Sequence, residues 1–347
     1  MVGVGIIGWG LAGRGFHGGF ILGVEGLALR AVATSRDVDA ERFGDVAVVA
    51  DAAALVARDD VDLVVVASPN RQHVEHAKAA LAAGKHVVVE KPVAPDAASM
   101  RDLASAAQRA GRLLVPFQNR RYDGDFATVR AQLEGGHLGK IHRFESMWPA
   151  YRPSLAQRSA WKAESDPMHG LMFDLGPHLV DQAIVCFGRP THVAARVQTR
   201  RPGSPVTDAF IIELRYGELT VRVGADHLDP VERPRFFVCG DAASFVKYGV
   251  EAQEAQIRSG ALPHETPDWG MEAPDAYGKR IGPEGEVVVP TERGDYRQFY
   301  AAVRDAIVNG GPSPIDPYDV VLQLEILEAA VASEASNAFV PMVEATT

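Results

Sequence analysis

The chain opens with VGVGIIGWGLAG (residues 2–13), in which an apolar strand pattern runs through a glycine-rich turn into a helix pattern. In a dinucleotide-binding βαβ unit, the first glycine of GxGxxG permits the turn, the second lets a pyrophosphate approach and the third lets helix and strand pack. The helix start then offers amides to the anion. Alone, this spacing also fits an ordinary turn. In this context it predicts a cofactor site made by Gly8, Trp9, Gly10, Leu11, Ala12 and Gly13.

Strand and helix patterns alternate through the first third of the chain, which is typical of parallel βαβ units. Beyond that third, longer alternating segments indicate a largely antiparallel sheet. We therefore predict an α/β protein with a Rossmann dinucleotide-binding domain over residues 1–120. An α+β domain for substrate binding and oligomerisation, with an open sheet, is predicted over 121–347. Long loops are expected over 249–294, and a long C-terminal helix over 316–336.

Composition narrows the class of protein and its compartment. The chain has 347 residues and a formal net charge of −10, which disfavours binding to a polyphosphate backbone. No apolar run approaches the roughly 18 residues of a membrane helix. Two cysteines, Cys186 and Cys239, lie in or beside apolar runs, as expected of small buried side chains in a reducing compartment. We predict a cytoplasmic protein that binds neither nucleic acid nor membrane.

The end of the second predicted strand bears on the choice of cofactor. NAD-binding folds usually place an acidic residue there for the ribose hydroxyls, whereas an arginine suits the 2′-phosphate of NADP. This chain has Ser35 and Arg36 at that point, so we predict NADP. Asp37 follows directly and keeps NAD possible.

A lysine stands where an apolar run gives way to a turn, in HVVVEKP (residues 86–92). Lys91 fits either an ordinary solvated strand end or an acid/base group held against a cofactor. Later, DLGPH supplies Asp174 and His178, four residues apart and therefore on one helix face. Because Pro177 fits best in a first turn, we expect the helix to begin near Asp174 or Gly176. In isolation, Asp174 would be a helix cap and His178 an ordinary buried histidine.

The order of these motifs resembles the Gfo/Idh/MocA family of nicotinamide-dependent sugar and polyol oxidoreductases. The resemblance rests on GxGxxG, on SPNxxHxxHAxxALxxGKHVVVEKP and on DLGPHLVD, and it covers nearly the whole chain. It implies that Lys91, Asp174 and His178 form the catalytic group and that the Lys91–Pro92 bond is cis. Stretches such as FQNRRYDGDF and SFVKYG are similar to the NADP-linked scyllo-inositol dehydrogenase branch, although the family also includes galactose and glucose dehydrogenases.

Oxidation of a secondary alcohol needs a base within about 3 Å of the hydroxyl oxygen. Either Lys91 or His178 can supply it, and the sequence does not decide between them. Contact with the cofactor is expected from Ser68, Pro69, Asn70, His73, Glu90 and Asn119, with an ordinary helix-surface role equally open for His73. Arg120 also lies where the chain crosses between domains. No metal site is expected. Substrate candidates besides the catalytic group are Arg152, Trp161, Lys162, His169 and Asp181.

Two other functions remain open at this point. A glycosidase on the same scaffold would use tightly held NAD without net turnover, and a nucleotide-sensing protein would keep the cofactor site without catalysis. The presence of Lys91, Asp174 and His178 together favours catalysis. Strands such as DAFIIELRY and LTVRVGADHL are expected to carry apolar residues on both faces, which predicts a homodimer, or a tetramer of dimers, joined through the open sheet.

Overall fold

The computed structural model describes residues 1–149, 151–155 and 170–343. The chain forms two compact units. The first unit contains residues 1–122, 252–270 and 295–321, and the second contains 123–251, 271–294 and 322–347. The domain boundary predicted at residue 120 lies two residues from the end of the first unit's first stretch. Two later stretches, 252–270 and 295–321, pack with that stretch although they follow the second unit's first segment in sequence.

A six-stranded parallel sheet with the order β3-β2-β1-β4-β5-β6 forms the centre of the first unit. Its middle strands are buried on both faces, with Leu63 and Val64–Val66 fully inaccessible, as the unbroken apolar run predicts. The predicted Rossmann fold is confirmed. The strands are β1 (Val2–Ile7), β2 (Leu27–Ala33), β3 (Ala47–Val49), β4 (Leu63–Val66), β5 (His86–Val89) and β6 (Leu114–Pro116).

Helices connect these strands, as the alternating sequence pattern predicts. A π-helical segment, Ala12–Gly18, follows the glycine loop and continues into α1. The longest connection is capped at both ends: Asp96 accepts a hydrogen bond from the Ser99 amide, and Gly111 adopts the left-handed conformation at φ 61°. The helices are α1 (Gly19–Leu22), α2 (Ala40–Phe43), α3 (Ala52–Val56), α4 (His73–Ala82) and α5 (Ala97–Ala110).

The second unit is built on a nine-stranded sheet with the order β14-β13-β12-β11-β7-β10-β9-β8-β15. All of its strand pairs are antiparallel except β7 with β10. The predicted, largely antiparallel sheet is therefore confirmed. Its first elements are α6 (Gly124–Glu134), β7 (Ile141–Pro149), α7 (Leu171–Phe187), β8 (His192–Gln198), β9 (Ala209–Tyr216), β10 (Leu219–Asp226), β11 (Phe236–Gly240) and β12 (Ser244–Lys247).

The region predicted as long loops, residues 249–294, contains regular structure, so that prediction is wrong. Gln253 explains part of it, because its side-chain oxygen accepts hydrogen bonds from the Trp269 indole and the Tyr296 amide, at 3.0 and 2.9 Å. These contacts hold residues 252–270 to the first unit. The remaining elements are α8 (Gln253–Ser259), β13 (Gly278–Gly282), β14 (Gly285–Val289), α9 (Arg297–Asn309), α10 (Pro317–Ser336) and β15 (Val340–Pro341).

The outer face of β9 and β10 differs from the predicted apolar surface. α7 packs against the inner face, where Ile212, Leu214 and Val223 are inaccessible to solvent. On the outer face, Glu213 pairs with Arg222 of the neighbouring strand at 2.9 Å and with Arg215 of its own strand at 2.6 Å. Ile211 is the large apolar residue exposed there. Ion pairs therefore replace the expected apolar face on these two strands.

Two further sequence expectations concern the burial of the cysteines and the absence of membrane-spanning helices. Cys186 and Cys239 are free thiols and are half-buried, whereas the apolar runs around them predicted full burial. Desolvation raises the pKa of Cys186 to about 12, which keeps its thiol protonated at neutral pH. Among the described residues, the helices are all too short or too polar to cross a membrane.

Candidate functional site

The three glycines of the first loop have different surroundings, and each matches a different role. Gly8 has φ 98°, and a Cβ atom there would lie 2.5 Å from the Ala67 carbonyl oxygen. A Cβ atom on Gly13 would lie 2.0 Å from the Gly8 carbonyl oxygen. At Gly10, by contrast, a Cβ atom would meet no heavy atom within 4 Å. The loop thus has tight packing at its ends and open space in the middle, which fits the approach of a pyrophosphate.

The side chains between these glycines are not equally placed to meet a ligand. The Trp9 indole is buried and packs edge-on against Phe43, with ring centroids 4.9 Å apart. Only the backbone of Trp9 is therefore suited to a cofactor contact. Leu11 is exposed and precedes the π-helical segment that starts at Ala12.

The predicted determinants of cofactor choice follow β2 at the carboxyl edge of the parallel sheet. β2 ends at Ala33, whose carbonyl oxygen accepts a hydrogen bond from the Gly8 amide at 3.0 Å. Ser35, Arg36 and Asp37 are all exposed just beyond this contact. The Arg36 amide donates to the Thr34 hydroxyl, which fixes the backbone of the turn and leaves its guanidinium at the surface.

His73 is buried, so an ordinary helix-surface role is wrong. Its Nε2 lies 2.8 Å from the Ser68 carbonyl oxygen and its Nδ1 lies 2.8 Å from the Pro92 carbonyl oxygen. The ring thereby ties the end of β4 to the turn that carries Lys91. Asn70, predicted to contact the cofactor, begins a 3₁₀ turn, and α4 starts after Gln72.

Pro69, also predicted to contact the cofactor, is exposed in the same turn, and Ser68 is partly buried. The Ser68 hydroxyl lies 2.9 Å from His76 Nδ1. Burial lowers the pKa of His76, so its ring stays neutral at physiological pH and can accept a hydrogen bond from this hydroxyl.

Lys91 follows Glu90 directly at the carboxyl end of β5, and the Lys91–Pro92 bond is cis, as the family resemblance implies. The Glu90 carboxylate accepts the Lys91 amide at 3.0 Å through Oε2. Its Oε1 lies 3.2 Å from His17 Nε2, and His17 Nδ1 lies 2.5 Å from the Tyr300 hydroxyl. Burial favours the neutral acid, but His17 and nearby positive charge outweigh it and lower the pKa of Glu90.

Sequence reasoning missed His17 and Tyr300. His17 stands four residues after the last fingerprint glycine, on the first helical face that packs on the sheet, and this spacing is the signal that could have identified it. Tyr300 comes from α9, far along the chain, and no local pattern connects it to the EKP turn.

In the second unit, Asp174 and His178 lie on α7, with Asp174 half-buried and His178 buried. The helix begins at Leu171, not near Asp174 or Gly176, so Pro177 lies inside it. The prediction confined proline to the first turn; here the burial of most of the helix outweighs the lost hydrogen bond. Gly170 is the N-cap, so Asp174 does not cap this helix.

Arg152 is held in the second unit by its backbone. Its amide donates to the His227 carbonyl oxygen at 2.9 Å, its carbonyl accepts from Arg201 at 3.0 Å, and its side chain is exposed. Burial, helped by Arg201 and Arg152, lowers the pKa of His227 to about 4 despite the charges of Asp208 and Asp174. His227, which the sequence did not indicate, is therefore neutral near Asp174.

The remaining candidates fall into three groups. Asn119 and Arg120 are buried in the first unit, where Arg120 pairs with Glu254 at 2.6 Å. Asp181 is buried on α7. Three predicted residues lie outside the described part of the chain: Trp161, Lys162 and His169. In the described ranges, no cluster of three or more histidine, cysteine or acidic side chains has the arrangement of a metal site.

Two sequence families match this chain in succession. The first is described as an oxidoreductase family with an NAD-binding Rossmann fold and matches residues 2–117; the second is its C-terminal alpha/beta domain and matches 130–342. The chain belongs to the Gfo/Idh/MocA oxidoreductase family. The resemblance deduced from the motifs is confirmed, and so is the nicotinamide-binding type of the first domain.

Several relatives match this family member along nearly its whole length. The uncharacterized oxidoreductase YdgJ of Escherichia coli (strain K12) is 36% identical, covering 96% of this chain and 97% of YdgJ. The scyllo-inositol 2-dehydrogenase (NADP(+)) IolW of Bacillus subtilis (strain 168) is 33% identical, covering 95% and 93%. A crystal structure of an oxidoreductase from Bacillus cereus superposes with a TM-score of 0.90 at 30% identity, covering 100% of both chains.

Proposed function

We propose that this oxidoreductase transfers a hydride between a nicotinamide cofactor and a secondary hydroxyl of a cyclic polyol or sugar, with scyllo-inositol and its inosose as the first candidates. One observation carries the proposal. Lys91 follows β5 at the carboxyl edge of the parallel sheet. Gly10, in the loop that follows β1 of the same sheet, has open space beside its Cα atom. Ligands of such sheets bind at that edge, so a lysine there is suited to acid/base chemistry beside a bound cofactor. The printed activity of IolW supports the substrate class.

Each residue of the proposed catalytic group has its own task. When bound, the nicotinamide supplies the hydride acceptor or donor. Lys91 Nζ or the His178 ring takes the proton of the reacting hydroxyl, or returns it in the reverse direction. Asp174 and His178, on one face of α7, orient the neighbouring hydroxyl and share in proton transfer.

We also propose NADP as the preferred cofactor. The exposed Arg36 guanidinium and the Ser35 hydroxyl are suited to a 2′-phosphate, and both follow the strand whose last carbonyl binds the Gly8 amide. The name of IolW gives NADP(+) for that protein, which agrees with this reading. Asp37 in the same turn keeps NAD as the alternative.

The decisive experiment compares Lys91→Ala with a lysine at the opposite end of the same strand. Lys85 precedes β5 and donates to the Arg58 carbonyl oxygen at 2.9 Å, so Lys85→Ala is the matched control. A panel of inositols and sugars is assayed with NADP and NAD by absorbance of the reduced cofactor. We expect Lys91→Ala to lose about 10²–10⁴-fold in turnover while its affinity for cofactor changes little. Lys85→Ala should keep normal turnover.

The outcomes separate the rival functions. Wild-type turnover by Lys91→Ala would remove this residue from the chemistry. Sugar consumption without net formation of reduced cofactor would indicate the glycosidase instead. Tight cofactor binding with no turnover of any substrate in the panel would favour a nucleotide sensor.

A further inference from the structure

A chain of three polar side chains, two of them buried and Glu90 partly exposed, runs behind Lys91 in the first unit. It begins at the Tyr300 hydroxyl, passes through the His17 ring and ends at the Glu90 carboxylate, with contacts of 2.5 and 3.2 Å. Tyr300 and His17 are fully inaccessible to solvent. Phe117 packs against the His17 ring at 4.4 Å between centroids, so the contacts lie in apolar surroundings. Polar groups in such a place are costly unless they serve one another.

The chemistry of the three groups fixes where their protons lie. Burial, together with the charge of Glu90, raises the pKa of Tyr300 well above its ordinary value. The phenol therefore keeps its proton and donates a hydrogen bond to His17 Nδ1. The other ring nitrogen, Nε2, then carries a hydrogen that faces the Glu90 carboxylate. The 3.2 Å contact is bent, so its stabilisation of the carboxylate is largely electrostatic.

Glu90 links this chain to the EKP turn. Its second carboxylate oxygen accepts the Lys91 amide, so the direction in which the Lys91 backbone leaves β5 depends on Glu90. The groups that act on the Glu90 charge are His17 from the first helix, His73 from α4, Tyr300 from α9 and Lys91 itself. His17 approaches the Glu90 carboxylate to 3.2 Å.

We propose that His17 and Tyr300 are positioning residues that keep Glu90 ionised and thereby hold Lys91 in place for proton transfer. The positioning of Lys91 rests on the function proposed above, whereas the effect of His17 on Glu90 does not. Removing the His17 ring leaves a largely buried carboxylate that desolvation drives toward its protonated form. A protonated Glu90 holds the Lys91 amide less strongly, and Lys91 also loses a neighbouring negative charge.

The first test measures the ionisation of Glu90 without cofactor or substrate. Infrared difference spectra of the full chain against Glu90→Gln identify the carbonyl band of the protonated acid, which is then followed as the pH falls. We expect the band in His17→Leu to appear at least about one pH unit higher than in the wild type. Tyr300→Phe, which keeps the ring packing, should give a smaller shift in the same direction.

Two variants serve as controls. His17→Gln restores a donor at this position, so its band should return toward the wild-type pH. Tyr122→Phe removes the hydroxyl of another tyrosine, whose ring packs against Phe299 at 6.1 Å, and should leave the band unchanged. An unchanged titration in both His17→Leu and Tyr300→Phe would overturn the proposal, as would an equal shift in Tyr122→Phe.

The second test is the pH profile of turnover. We expect kcat/KM of His17→Leu to fall about tenfold at pH 5 relative to the wild type and to stay close to it at pH 8, because only the lower pH protonates Glu90. A uniform loss at all pH values would indicate a purely structural role and overturn the positioning of Lys91. If the wild type turns over no substrate, the proposed function fails, and the infrared titration alone still decides whether His17 controls Glu90.

Discussion

Replacing Gly10 with alanine should separate cofactor binding from folding. Gly10 is not among the residues with a left-handed backbone, and an added Cβ atom would meet nothing within 4 Å. We therefore expect Gly10→Ala to fold with nearly unchanged stability. The added methyl group would instead occupy the space that the fingerprint reserves for the pyrophosphate.

The size of the effect follows from the contacts at stake. A hydrogen bond from a backbone amide to a charged phosphate oxygen contributes about 1.5–3 kcal/mol. Losing one such bond weakens cofactor binding about 10- to 150-fold. At Gly13 an added methyl group should instead reduce stability, because its Cβ atom would lie 2.0 Å from the Gly8 carbonyl oxygen. The Gly8 oxygen belongs to the backbone, and the added Cβ atom is bonded directly to the backbone at residue 13, so neither atom can easily move. Gly13→Ala should therefore cost about 3 kcal/mol or more in stability.

Calorimetric titration with NADP and NAD measures the first effect, and thermal unfolding of the ligand-free chain measures the second. Gly13→Ala is thus the matched comparison, with one methyl group added in the same loop. Wild-type cofactor affinity in Gly10→Ala would refute the placement of the pyrophosphate over this residue. A loss of stability in Gly10→Ala as large as that in Gly13→Ala would refute the open space itself.

Three further predictions concern the cofactor, stability and assembly. Arg36→Ala should weaken binding of NADP and leave that of NAD little changed. Equal losses of affinity for both cofactors in titrations would indicate that Asp37 or another group recognises the ribose. For Glu254, burial raises the pKa, but Arg120 and other partners outweigh it and lower the pKa from 4.5 to about 2. Its contribution of about 3 kcal/mol should be complete above pH 4.5 and be lost as the pH falls toward 2. Urea unfolding should therefore show a stability gap between wild type and Glu254→Gln that is constant from pH 8 to 6 and narrower at pH 4, and a gap that widened on acidification would contradict the ion pair. Ion pairs on the outer face of β9 and β10 remove the apolar surface as the reason for a homodimer or tetramer, which then rests on the family resemblance. Light scattering at micromolar concentration should give a multiple of the 37.3 kDa chain mass, and a stable particle of that mass would exclude both assemblies.

The fold of the first unit was predictable because its signals are local. An unbroken apolar run marks a strand covered on both faces, and a capping residue and a glycine can mark the two ends of a helix, as Asp96 and Gly111 do for α5. The second unit was harder to read. Its outer face depends on which residues of neighbouring strands meet, and the pairing of Glu213 with Arg222 follows from the register of β9 and β10. Neither strand reveals that pairing alone.

Errors at the helices have a common physical origin. Pro177 suggested a helix start because proline lacks an amide hydrogen, yet α7 begins six residues earlier at Leu171. The burial of its faces outweighs one missing hydrogen bond, and burial is a property of the tertiary structure. Likewise, α8 lies in a stretch rich in glycine, proline and charge, and Gln253 anchors it through partners that are distant in sequence.

The candidate site shows the same division between local and distant signals. Lys91 is identifiable from sequence because a strand end, a glutamate and a proline surround it within a few residues. The groups that surround Glu90 come from helices that start near residues 12, 73 and 297, and only the folded sheet brings His17, His73 and Tyr300 to one strand end. A motif can therefore identify Lys91 as the candidate acid/base group, whereas the environment of Lys91 is set by side chains that no motif contains. For that reason the variants at His17 and Tyr300 test the structure itself, while Lys91→Ala tests a role that the sequence already implied.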